Sequence, residues 1–198
     1  MTAETDKNQE DRNLVQEILK GDEQAFTALL EKYQDLVFSL VYRMLQHYED
    51  ARDVSQDVFI KIYSMLPKYK PVGKFYSWLY CLTINLVRDH VRTRSYKRKL
   101  KEVAHDREYS SLQYRSLNPH QSFFNKETRS TLETLVASLP QKQREVFILH
   151  YFHQISLNEI TTITGFSLSN VKVLLHRARK ILLQQPKAAQ LKEVCHEL

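Results

Sequence analysis

Three glycines and five prolines in 198 residues leave few places for tight turns, which argues against a sheet-rich fold and for a chain of helices. Two cysteines, Cys81 and Cys195, are too few for a disulfide framework. No apolar run is long enough to span a bilayer, and no segment has the layout of a signal peptide, so a cytoplasmic protein without membrane insertion is expected. Neither a glycine-rich phosphate loop nor a nucleophile elbow is present, which weakens any case for an enzyme. His150-x-x-His153 and Cys195-His196 lack further ligands at metal spacing, so they read as ordinary surface or core residues. No catalytic residue, metal, cofactor or small-molecule substrate is expected.

Charge is present in quantity but unevenly placed. The net charge of +6 conceals an acidic stretch, residues 1–66, with seven Lys/Arg against thirteen Asp/Glu. Residues 67–101 then carry ten Lys/Arg and a single carboxylate, Asp89. That density of one sign calls for a polyanion or costs self-repulsion. The acidic helical half suggests a protein partner instead.

The most informative stretch is Ser156–Leu183. Ser156 and Glu159 have the spacing of a capping box, in which hydroxyl and carboxylate satisfy orphan amides at a helix start. Gly165 supplies the turn, and Ser167 is the natural N-cap of a second helix. There Val171, Leu175, Ala178 and Leu182 form a buried stripe, while the other faces are rich in basic and polar residues. Two short helices meeting at a glycine, the second basic and amphipathic, form the pattern that places a helix in a DNA major groove.

In chain order, residues 1–10 are polar and expected to be disordered. Leu14, Val15, Ile18 and Leu19 give a short apolar face, and Gly21-Asp22 breaks and recaps the chain. A long amphipathic helix runs from Phe26 to Met44. A third follows His47, with Ala51, Val54, Val58, Phe59, Ile62 and Leu66 inward. Pro67, Pro71 and Gly73 make a loop before a fourth segment, Phe75 to about Arg98. Residues 102–122 show no steady period and read as a linker, able to reach ~65 Å when extended, comparable with two turns of B-DNA. The expected organisation is thus an all-α chain of two small helical domains. These are residues 11–101 and 123–185, with a tail at 186–198.

The residues Asp53-Val-Ser-Gln-Asp-Val-Phe59 resemble the D-x-x-Q-[DE]-x-F signature of bacterial RNA polymerase sigma factors. Phe75-Tyr-Ser-Trp-Leu, then Asn85 and Asp89, is similar to a segment of the extracytoplasmic-function (ECF) subgroup. Asn118-Pro119, Leu139-Pro140 with Arg144-Glu-Val-Phe147, and Leu175-His-Arg-Ala-Arg-Lys180 are similar to later family motifs, all in family order. The resemblance covers roughly residues 11–183, and the lack of larger insertions fits the ECF subgroup.

It implies that 11–101 is sigma region 2 and 123–185 sigma region 4. The implied partners are core RNA polymerase, through its β and β′ subunits, promoter DNA, and an anti-sigma factor. Docking on a β′ coiled coil would use Arg52, Asp53, Gln56, Asp57 and Phe59. The −10 element would be read by Lys70, Lys74, Phe75, Ser77 and Trp78, with Tyr76 beside them. Asn85 and Arg88 would face the duplex edge upstream, and Arg92, Arg94, Lys97 and Arg98 would hold phosphates. Phe75 and Trp78 have a second reading as plain core, being three residues apart on one helix. The −35 element would meet Ser169, Asn170, Lys172, Val173, His176 and Arg177, with Arg179 and Lys180 nearer phosphates.

Two departures from the family pattern matter. The tryptophan pair that wedges the melted bubble in primary sigma factors falls at Cys81-Leu82, neither of which stacks as an indole does, implying weaker intrinsic melting. Many ECF members have a small polar residue and an arginine where Val173-Leu174 stand. Leu174 there removes an expected phosphate or base contact, and Val173 could instead touch a thymine methyl. The competing reading is a conventional helix-turn-helix regulator that binds operators without polymerase. It explains Ser156–Leu183 but not the Asp53–Phe59 face or the Phe75–Asn85 segment. A nucleic-acid enzyme would need an acid–base or metal cluster in a block whose only carboxylate is Asp89.

Overall fold

The computed structural model describes residues 2–70, 73–100 and 134–185, with side chains from residue 8, and only to residue 94 in the long fourth helix. The described residues are helical throughout their regular elements, as composition required, and the chain divides into two compact units, residues 1–111 and 112–198. The linker and tail assigned above, Pro71, and Asn118-Pro119 lie outside the described residues.

In the first unit, α1 spans Thr2–Leu19, α2 Glu23–Leu45, α3 Tyr48–Met65 and α4 Phe75–Leu100. Each break has a local cause. Gly21 takes a left-handed φ of +95°, which glycine adopts without steric cost. Asp22 then caps α2, its carboxylate accepting from the amides of Gln24 at 2.8 Å and Ala25 at 3.2 Å. His47 caps α3, with Nδ1 accepting from the Asp50 amide at 3.2 Å. Pro67 ends α3 in a single tight turn, Leu66–Lys68.

The apolar periodicity lands as the sequence pattern predicts. Leu29, Val37, Leu40 and Val41 of α2 are buried against Ala51, Val54, Val58 and Ile62 of α3, and α4 closes the core with Phe75, Leu79, Ile84 and Val87. Burying a side chain of this size contributes about 1.5–3 kcal/mol. Phe59, expected inward, is only half-buried.

The expectation of a disordered residue 1–10 segment is not met, because α1 begins at Thr2. The segment lacks an apolar face, but it is tied down by charge at its end. Lys32 of α2 pairs with Glu10 at 2.5 Å and Asp11 at 2.8 Å. Tyr33 donates its phenol proton to the buried Asp11 carboxylate at 2.7 Å. With α1 anchored there, good helix formers such as Ala3, Glu4, Lys7 and Gln9 extend it outward.

In the second unit residues 134–137 are helical, and α5 (Gln141–Phe147), α6 (Leu157–Thr164) and α7 (Leu168–Leu183) follow. Arg144 of α5 reaches back to the carbonyls of Leu139, at 3.0 Å, and Ala137, so the end of the 134–137 helix is satisfied by a side chain. α5 runs into a wide turn, Ile148–Phe152, whose bonding is i to i+5: the His153 amide donates to Ile148 O at 3.2 Å. The capping box forms as read, with the Glu159 amide donating to Ser156 Oγ and the Ser156 amide to Glu159 Oε2, both at 3.3 Å. Gly165 is left-handed, φ +75°, and Ser167 caps α7 by accepting from the Asn170 amide at 3.3 Å.

Candidate polymerase and nucleic-acid interfaces

The first surface is the outer face of α3. Arg52, Asp53, Gln56 and Asp57 are exposed, and Asp53, Gln56 and Asp57 recur at i, i+3 and i+4 on one stripe. Arg52 is held over this face by Glu49, 3.0 Å away, and more loosely by Asp53 at 3.8 Å. Such exposed pairs are worth at most about 1 kcal/mol, so a partner's charges can replace them. Phe59 is half-buried beside this stripe. Two residues that the sequence pattern did not single out extend the face. Ile60, three residues beyond Asp57, is 61% exposed, and Tyr63 is 59% exposed with its ring edge-on to Phe26 at 5.0 Å. An isoleucine on an otherwise polar stripe was the available signal.

The second surface is the start and outer side of α4. Phe75 is fully buried, within 5.5–5.6 Å of Tyr33, Tyr69 and Trp78 by ring centroid. It is core, which corrects its placement in the −10 pocket. Trp78 is half-buried and packs on Tyr69 at 4.9 Å, so one part of the indole anchors the helix while the rest faces outward. Tyr69, missed in the sequence, therefore belongs to the same aromatic rim; burial pushes its phenol up from the ordinary tyrosine range. Lys74 Nζ donates to the Tyr76 hydroxyl at 3.0 Å and lies near that ring, while Lys70 is exposed and Ser77 half-buried.

Further along α4, Asn85 is exposed and Arg88 half-buried one turn later. Arg92 pairs with Asp89 at 3.0 Å. Arg94 pairs with Asp50 at the start of α3, beside His90 Nε2 at 3.6 Å from the same carboxylate. These two arginines thus have carboxylate partners; the Arg92–Asp89 pair is exposed enough for phosphates to compete, whereas Asp50 is largely covered. The side chains of Lys97 and Arg98 lie outside the described residues, though their backbone continues α4.

The third surface is α7. Its buried stripe is Val171, Leu174, Leu175, Ala178 and Leu182. Leu174 therefore packs inward, in keeping with the expectation that a leucine here offers DNA no contact. Ser169, Asn170, Lys172, Val173, His176, Arg177 and Lys180 are all exposed. Arg179 stands apart. It is half-buried, its Nε donates to the Tyr151 hydroxyl at 2.5 Å, and its guanidinium lies 5.5 Å from that ring's centroid.

Among the described residues no group of three His, Cys, Asp or Glu side chains is placed to hold a metal, and no helix is long and apolar enough to cross a membrane. His150 Nδ1 lies 3.0 Å from the Ile155 carbonyl.

Residues 29–97 match the Sigma-70 region 2 family model and residues 129–182 the Sigma-70, region 4 model. The chain is 30% identical over 175 residues to the ECF RNA polymerase sigma factor SigW of Bacillus subtilis (strain 168), covering 86% of this chain and 94% of that one. The chain belongs to the ECF RNA polymerase sigma factors. The ECF RNA polymerase sigma-E factor of Escherichia coli (strain K12) is 29% identical over 176 residues, 87% of this chain and 92% of its own. Among solved structures, CnrH in complex with the cytosolic domain of CnrY matches with TM-score 0.63 at 21% identity, covering 93% of this chain and 98% of that one. The Bartonella quintana sigma factor RpoE in complex with the anti-sigma factor NepR matches with TM-score 0.64 at 18% identity, covering 80% and 94%. These two likenesses bear on the fold.

As an ECF sigma factor the chain is a transcription initiation factor. It binds core RNA polymerase, directs it to promoters through −10 and −35 elements and initiates transcription. A conventional operator-binding regulator is not what these matches support. They span both units, including the α3 and α4 residues that such a regulator left unexplained.

Proposed function

We propose that the three surfaces divide that work. The stripe Arg52, Asp53, Gln56, Asp57, with Phe59 at its edge, docks on core polymerase; its carboxylates and amide suit charge-assisted bonds to a basic partner. The rim of Trp78, Ser77, Lys74 and Lys70 takes the −10 element. There an unstacked base regains on aromatic faces what melting costs. Asn85, Arg88, Arg92, Arg94, Lys97 and Arg98 follow the adjoining duplex and its phosphates. On α7, Ser169, Asn170, Lys172, Val173, His176 and Arg177 enter the major groove of the −35 element, with Lys180 and, less directly, Arg179 toward the backbone.

The observation that carries this reading is the outward face of α7, where every polar or basic residue proposed for base contact is exposed while the stripe opposite is closed into the core. The protein supplies specificity and no chemistry of its own, acts in the cytoplasm and joins the nucleoid with polymerase. Region 2, the linker and region 4 would follow the division at 11–101, 102–122 and 123–185. An anti-sigma factor is the expected inhibitor, because the surfaces that meet polymerase are those it would cover.

The test is promoter binding by polymerase reconstituted with the full chain, measured across salt concentrations. Lys172→Ala and Arg177→Ala should each cost about 1–3 kcal/mol if they contact bases, or lower the salt slope by about one if they contact phosphates. Unchanged affinity and slope in both variants would remove α7 from DNA reading.

A further inference from the structure

Val173 stands at the middle of the outward face of α7. At about 100° per residue, it points roughly opposite the centre of the buried stripe formed by Val171, Leu174, Leu175, Ala178 and Leu182. Ser169 and Arg177 lie one turn to either side, and Asn170 and His176 flank it at three residues. All four are exposed, and Val173 itself keeps 44% of its surface open. An isopropyl group there adds nothing to the core, and its branched side chain is a weaker helix former than alanine.

The neighbourhood restricts what such a group can meet. Valine neither donates nor accepts a hydrogen bond, and it lacks the reach and charge for a phosphate. The other exposed large apolar residues of α7, Leu168 and Leu183, lie at its two ends and off this face. Val173 is therefore a single apolar spot in a polar and basic field, too small for an apolar protein surface and matched to one small apolar group on a polyanion. In the major groove that group is the C5-methyl of thymine; the edges of the other three bases offer polar atoms there.

We propose that Val173 reads the C5-methyl of one thymine in the −35 element, so that this sigma factor demands a T·A pair at that position. The inference rests on α7 being the −35 helix. Contact requires only that the isopropyl group shed water against the methyl, with Arg177 and Asn170 setting the register by their hydrogen bonds to adjacent bases.

The experiment uses core polymerase reconstituted with the full chain. A promoter is selected from a library randomised through the −35 element, and each selected thymine is then replaced singly by deoxyuridine, which keeps every hydrogen-bonding edge and lacks the methyl. One replacement should lower promoter binding roughly three- to ten-fold. With Val173→Ser or Val173→Ala that penalty should disappear, with unchanged helical circular dichroism; the alanine variant guards against a folding defect in the serine one. No thymine that is sensitive to its methyl, or the same penalty in both variants, overturns the proposal. If binding depends on the −35 element and is blind to methyl loss, only the role of Val173 fails. If it does not depend on that element at all, the reading of α7 fails and takes this inference with it.

Discussion

Arg179 of α7 and Tyr151 of the wide turn after α5 are joined twice, by a 2.5 Å hydrogen bond from Nε to the phenol oxygen and by the guanidinium lying over the ring. Tyr151 is itself packed on Phe147, 4.5 Å between centroids. The pair fixes α7 to the end of α5 and the wide turn that follows it. Tyr151→Phe should lower the stability of the second unit by about 1 kcal/mol, the net worth of one such bond. Arg179→Ala should cost more, and should change the salt slope of promoter binding less than Lys172→Ala does. Denaturation midpoints and salt titrations check both. A full unit of lost slope with unchanged stability would show that Arg179 holds a phosphate instead.

Asp57 is exposed on α3 and makes no contribution to the core, so reversing its charge should leave the fold untouched. Asp57→Arg should lower affinity for core polymerase by well over tenfold, more than 1.4 kcal/mol, with identical helical circular dichroism. Core affinity equal to wild type would move docking off this stripe.

Phe75 and Trp78 lie three residues apart yet should fail differently. Phe75→Ala opens a cavity in the first unit and should cost about 3–5 kcal/mol of stability. Trp78→Ala, at a half-exposed position, should cost less stability but reduce opening of the −10 element, read as permanganate reactivity of its thymines. Equal stability losses with no difference in strand opening would make Trp78 core as well.

Tyr33 gives a pH dependence with a definite sign. Burial first, then its bond to the Asp11 carboxylate, pushes the phenol above the ordinary tyrosine range. The folded chain keeps this proton where the unfolded chain loses it, near pH ~10. Its contribution is therefore fully present below that pH and is lost as pH rises beyond it. Between pH ~9 and ~11.5, wild type should lose stability more steeply than Tyr33→Phe, by up to about 1.4 kcal/mol per unit. Parallel slopes would contradict this.

Much of the architecture was legible because its causes are local. The capping box at Ser156 and Glu159, the turn at Gly165, the cap at Ser167 and the heptad-like burial of Val54, Val58 and Ile62 each depend on residues within a turn or two. What escaped depends on contacts across helices. The pairing of Arg94 with Asp50 joins residues from different helices, as does the burial of Phe75 among Tyr33, Tyr69 and Trp78. Spacing along α4 alone does not say which aromatic faces inward. Which residues of α7 face inward depends on its packing with α5, and the wide turn at 148–152 carries no residue that marks it. The outer part of α1, residues 2–10, was not legible because it lacks apolar residues to mark it, while Glu10 and Asp11 are held by Lys32 and Tyr33 of α2.

Run-off transcription shows whether this chain confers promoter specificity on polymerase. Purified bacterial core polymerase would be combined with the protein and a genomic promoter library. Specific transcripts that share two upstream elements are expected, made only when both components are present. Duplex binding by the protein alone, with active core polymerase yielding no such transcripts in its presence, would contradict it.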